Sequence, residues 1–133
     1  MDITVVGMWE PAFSEHEQVI EYRMWKQTIA AFDVRRWLMV GKGPSRVSAF
    51  EAFDTMEKAL ETVDCQKVFM VPEHGQALDK VWRVNSCAYI FGNAEDNLLS
   101  YYKDSQDWIA HLETPKPVDM FAACVLPTVL LWP

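Results

Sequence analysis

Five short apolar runs, interleaved with helix-capping signatures, constrain this chain more than anything else in it. Ile3–Met8 (ITVVGM) is β-branched or apolar throughout. A strand with one wet face alternates apolar and polar residues, so an unbroken run belongs in a sheet covered on both sides, as parallel sheets are. Val34–Val40, Lys67–Val71, Cys87–Phe91 and Trp108–Leu112 follow in the same manner. Between the first two lies Ser14-Glu-His-Glu17, a capping box in which Ser accepts from the third helical amide and Glu reaches back. The segment from there to Phe32 predicts a long amphipathic helix, with Ile20, Met24, Thr28 and Phe32 on one face and Trp25 and Ile29 beside them. Asp54-Thr-Met-Glu57 reads as a second cap, opening a helix to about Val63. Shorter helices are expected over Gly75–Val84 and Glu95–Tyr102, and an apolar helix that contains Pro127 over Val118–Trp132.

This order predicts an α/β fold: a mainly parallel sheet of five to six strands with helices on both faces, residues 1–133 forming one domain. Ligands of such sheets bind outside the carboxyl ends of the strands. Gly92-Asn93 and Thr114-Pro-Lys-Pro117 each follow a strand, where backbone could approach a small molecule.

The net charge of −7 argues against a generally adhesive nucleic-acid or membrane binder. Six of the twelve basic residues nevertheless fall in one window (Arg23, Lys26, Arg35, Arg36, Lys42 and Arg46), with Asp33 as its single acid. Cys65, Cys87 and Cys124 have no ligand spacing, so free thiols and no metal site are expected. No signal-peptide pattern opens the sequence and no apolar run reaches bilayer length, so a cytoplasmic location away from membranes is expected. Gly41-Lys-Gly-Pro-Ser45 lacks the P-loop spacing and reads as a turn. His16, His74 and His111 stand in no nucleophile motif.

Four stretches together carry a resemblance. Gln27–Val34 (QTIAAFDV) is similar to the end of a first helix written R-T-A-A-A-F-G-V. Ala88–Leu98 (AYIFGNAEDNL) is similar to an apolar strand followed by G-N-E-G-E-G-L. His111–Pro115 (HLETP) stands where an I-P-M strand end would be, and the C-terminal apolar helix stands where S-L-N and an alanine-rich helix would be. Read in order, the chain resembles the SPOUT superfamily, specifically the SpoU-like RNA 2′-O-ribose methyltransferases. That resemblance implies a C-terminal trefoil knot, S-adenosylmethionine as cofactor, RNA (tRNA and rRNA being the classes in view) as substrate, and a homodimer. It implies cofactor contacts from Pro72, Gly92, Asn93, Leu112, Thr114, Phe121 and Ala122, RNA contacts from the basic window, and catalytic positions at Gln27, Lys26 and Arg23.

The sequence also departs from the family pattern. N-x-G-x-x-x-R falls on Glu21, Arg23 and Gln27, so the catalytic arginine is replaced. The second motif's Glu falls on Ala94, and S-L-N falls on Met120, Phe121 and Ala122. Two alternatives therefore stand beside a methyltransferase: a non-catalytic relative that binds cofactor or RNA, and an unrelated Rossmann-like ligand module. The latter calls for G-x-G-x-x-G after the first strand, where Gly7 stands alone.

Overall fold

The elements of the computed structural model, which describes residues 2–44, 47, 49–71, 75–78, 86–93, 98–102 and 107–111, begin with β1 (Asp2–Met8), α1 (Glu15–Ala31) and β2 (Arg36–Val40). β3 (Glu51–Phe53), α2 (Met56–Glu61), β4 (Gln66–Met70), β5 (Gln76–Ala77), β6 (Ser86–Phe91) and β7 (Trp108–His111) complete the order, with a 3-10 turn at Leu99–Tyr101 before β7. They make a seven-stranded sheet ordered β3-β2-β1-β6-β4-β7-β5. Every pairing is parallel; Val5, for example, lies opposite Trp37 on one side and Tyr89 on the other.

Alternate residues of each strand feed two separate cores, as the period of two requires. On one face Val5, Met39, Tyr89 and Phe91 pack with Trp25 and Trp37 beneath α1. On the other, Val6, Leu38, Val40 and Ile90 pack with Met56, Ala59 and Val63 around α2. Helices on both faces are thus present, and both faces of the central strands are dry. Gly7 leaves the room that Trp25 fills: a Cβ there would overlap the Trp25 ring unless the ring shifted.

The expected capping box forms. Ser14 Oγ accepts from the Glu17 amide at 3.3 Å, and Glu17 Oε1 accepts from the Ser14 amide at 3.0 Å. These bonds hold the Glu17 carboxyl below its usual range.

Several expectations need correction. The sheet has seven strands because β3 and β5, three and two residues long, are too short to show a periodic pattern. β5 occupies part of the helix expected over Gly75–Val84; Gly75 (φ 76°) turns the chain against Ile109 instead, and 79–85 lie outside the described residues. In place of a helix at Glu95–Tyr102 only the 3-10 turn is seen; Leu98, at φ 70°, breaks α-helical geometry ahead of it, and 94–97 lie outside the description. The cap of α2 is Thr55, whose hydroxyl accepts from the Lys58 amide, while Asp54 faces the Lys58 ammonium at 4.0 Å. On α1 the buried stripe runs through Glu21 and Trp25, flanked by Tyr22, Ile29 and Phe32. Ile20 and Met24 are 46% and 37% exposed, because the bulk of Trp25 sets the rotation of the helix against Gly7. The expected C-terminal helix and the expected knot would fall in 112–133, outside the described residues, as does Cys124. Among the described residues no helix is long and apolar enough to cross a membrane.

Candidate functional site

The carboxyl ends of β1, β2 and β6 are tied to one another by the segments that leave them. The Trp9 amide donates to the Val40 carbonyl, the Gly41 amide to the Phe53 carbonyl, and Asn93 Nδ2 to the Trp9 carbonyl, each at 3.0 Å. A cleft of about 510 Å3 opens over this seam. Met8, Trp9, Val40 and Met56 form its apolar walls; Gln18, Lys42, Asp54, Thr55 and Glu57 supply polar groups, with Asn93 and Tyr101 on the β6 side. Gln18, one turn into α1, donates from Nε2 to the Lys42 carbonyl at 3.4 Å. The loop after β2 can close over the site only because position 43 lacks a side chain: a Cβ on Gly43 would lie inside the Trp9 indole.

On the core side of α1 sits a carboxyl whose burial no sequence pattern announces. Glu21 is 2% exposed, and neither of its oxygens has a hydrogen-bond partner. The indole N–H groups of Trp25 and Trp37 are likewise buried without a partner. Burial pushes the Glu21 carboxyl up to about 7; the Glu10 backbone and the Trp25 indole pull it back down without reaching bonding geometry. A buried carboxyl without a partner lowers its cost by staying protonated.

No protein-family profile matches the chain, and no curated protein matches it in sequence. Solved structures do match it in shape. A protein described for 2-OH methylation of C/U34 on tRNA superposes with a TM-score of 0.70 at 11% identity, covering 98% of this chain and 88% of that one. The SpoU methyltransferase AviRb from Streptomyces viridochromogenes gives 0.67 at 10% identity, over 97% of this chain and 57% of its own. An AdoMet-bound rRNA methyltransferase from Sinorhizobium meliloti gives 0.66 at 11% identity, over 97% and 54%. The chain has the SpoU methyltransferase fold. It spans most of the first of these proteins and little more than half of the other two.

Placed on the SpoU fold, the expected site residues divide into groups. Gly92 is buried at the end of β6 and Asn93 is half-buried, anchored on Trp9. Pro72, Leu112, Thr114, Phe121, Ala122 and Arg46 lie outside the described residues, as does His74. Arg23, Lys26 and Gln27 are exposed on α1. That helix leaves the carboxyl edge of the sheet and returns to the amino edge, so Gln27 lies about 18 Å along its axis from Glu15. The structure therefore does not bring this trio to the cleft.

The basic window is also split. Arg35 and Arg36 lie at the amino end of β2, where Arg35 pairs with Asp2 at 2.9 Å and Arg36 grips Glu51 through two bonds of 2.8 and 3.0 Å. Arg36 also donates to the Thr62 carbonyl, and its fork holds the Glu51 carboxyl below its usual range. Lys42 lies at the opposite edge, on the cleft. Among the described residues no group of three His, Cys, Asp or Glu could hold a metal ion. Sequence reasoning missed Glu21 and the cleft; the one available signal was a carboxylate four residues before Trp25, on the same side of the helix.

Proposed function

We propose that this protein is an S-adenosylmethionine-binding, RNA-directed methyltransferase of the SpoU type whose ribose 2′-O transfer is slow. The observation that carries the reading is the buried glycine and the anchored asparagine closing β6, on a fold whose described relatives include AdoMet-bound methyltransferases. When bound, the cofactor supplies the methyl group. Gly92 and Asn93 would hold it through backbone, joined by Pro72, Leu112, Thr114, Phe121 and Ala122, and contacts of that kind tolerate changed side chains. On the RNA side, Arg23, Lys26 and Lys42 are exposed cations suited to phosphate. Arg35 and Arg36 are committed to carboxylates, so their part is secondary. Slow transfer follows from Gln27: a neutral amide cannot stabilise a developing alkoxide as a guanidinium can.

Calorimetric titration with S-adenosylmethionine and its demethylated product tests the reading, with Gly92→Val as the comparison. The wild type should bind and the variant should lose most of that binding. Equal binding by both removes the assignment of the β6 loop, and no binding by either removes the cofactor.

The same reading makes the protein a homodimer. Val19, Ile20 and Met24 are large apolar side chains left exposed on α1, which a partner subunit would cover. Light scattering that finds only monomer at micromolar concentration counts against it.

A further inference from the structure

Among the described residues, the cleft over β1, β2 and β6 meets the β4, β6 and β7 loops to which cofactor binding is assigned at Asn93 and Tyr101, both after β6. It also has its own topological reason to exist. From β1 the chain steps outward through β2 to β3, whereas β6, the other neighbour of β1, borders β4 and then β7 on the opposite side. The connections therefore diverge between β1 and β6, and such a divergence leaves a crevice at the carboxyl edge.

We propose that this cleft receives the base of one RNA nucleotide and selects a base that carries an exocyclic amino group. This rests on the RNA-directed reading above and adds the base class to it. Size comes first: about 510 Å3 lies within the range of small-molecule pockets and accommodates a nucleoside. The walls come second. Met8, Val40 and Met56 offer apolar surface to a ring, and Gln18 offers an amide at the mouth of the cleft. Its 3.4 Å bond to the Lys42 carbonyl is long enough to be exchanged for a bond to a ligand carbonyl.

Charge decides the class. Asp54 faces the Lys58 ammonium at 4.0 Å, which leaves Glu57 as the carboxylate of the cleft that no ion pair engages. Ionised carboxylates only accept hydrogen bonds; at C4 of a pyrimidine the donor is the exocyclic amino group of cytosine, whereas the donor of uracil is its ring N3–H, one position away. Cytosine presents that donor with a carbonyl beside it for Gln18. Uracil, of the same shape, presents a carbonyl where the amino group was and would set oxygen against carboxylate. Lys42, flanking the cleft, is placed to meet the phosphate of the same nucleotide outside it.

The test is a protein-observed NMR titration of the full chain with cytidine, uridine, inorganic phosphate and, separately, S-adenosylmethionine. Cytidine should bind at least roughly tenfold more tightly than uridine and shift the Gln18 side-chain amide. Glu57→Gln, at an exposed position that leaves the fold intact by circular dichroism, should bring the two nucleosides to within about threefold of each other. Equal binding of cytidine and uridine by the wild type overturns the proposal. So does competitive displacement of cytidine by inorganic phosphate together with loss of binding in Lys42→Ala, which would make this a phosphate site. Cofactor binding without nucleoside discrimination removes only this proposal; discrimination without cofactor binding removes only the methyltransferase reading.

Discussion

Replacing Glu21 with glutamine should make the protein more stable at pH 8 and change little near pH 4. The carboxyl is pushed from 4.5 to about 7 by burial, a difference of about 2.5 pH units, which corresponds to roughly 3 kcal/mol at full effect. The sign follows from proton counting. Between pH 4.5 and 7 the unfolded chain releases this proton while the native chain keeps it, so native stability falls as pH rises through that window. Glutamine keeps the shape and removes the titration. Urea unfolding followed by tryptophan fluorescence, repeated from pH 5 to pH 8, should show the variant gaining about 2–3 kcal/mol on the wild type across that range. In a chain of this length that amounts to roughly 10 °C in Tm. Glu10, the other buried acid nearby, adds only a weak push in the same direction and is present in both proteins. If the two stability profiles stay parallel across the range, Glu21 titrates as an ordinary carboxylate and the argument from burial is wrong.

Two further outcomes follow from single positions. Gln27→Arg should raise any ribose transfer by about tenfold or more if the guanidinium is the missing group, measured as methyl incorporation into RNA. Unchanged transfer places the limitation elsewhere. Gly7→Ala should destabilise by about 1–3 kcal/mol in urea unfolding, because its Cβ overlaps the Trp25 ring; Trp25→Phe in the same chain should recover part of that loss.

Much of the fold was legible because burial on both faces leaves an unmistakable record. β1, β2, β4, β6 and β7 all fall on apolar runs, and the start of α1 falls on its capping box. What escaped was set by contacts distant in sequence. The rotation of α1 depends on Trp25 entering the space left by Gly7, 18 positions earlier. An apolar count therefore favours Ile20 and Met24, which are exposed, over Glu21, which is buried. β3 and β5 are edge pieces held by pairing alone. At the site, Gly92-Asn93 could be read as a strand end, whereas the cleft gathers residues from six separate segments, each ordinary by itself.

The basic window shows how closeness in sequence misleads about electrostatics, and it ends in a measurable number. β2 carries the chain from one edge of the sheet to the other, so Arg36 and Lys42 stand roughly 20 Å apart. Arg35 and Arg36 are spent on Asp2 and Glu51. Lys26 leans over the Tyr22 ring at 5.8 Å but remains exposed. Of the five window cations that are described, three (Arg23, Lys26 and Lys42) are left for phosphate. Each phosphate contact on single-stranded RNA contributes about −0.7 to the slope of log K against log salt, so binding should show a slope near −2. Glu51→Gln would release Arg36 and steepen the slope by about 0.7 if that guanidinium then turns to RNA. A wild-type slope near −4 would mean that all six basic residues engage at once, requiring Arg35 and Arg36 to leave their carboxylates and the RNA to span both edges of the sheet; a slope near zero would mean that none of the three holds a phosphate.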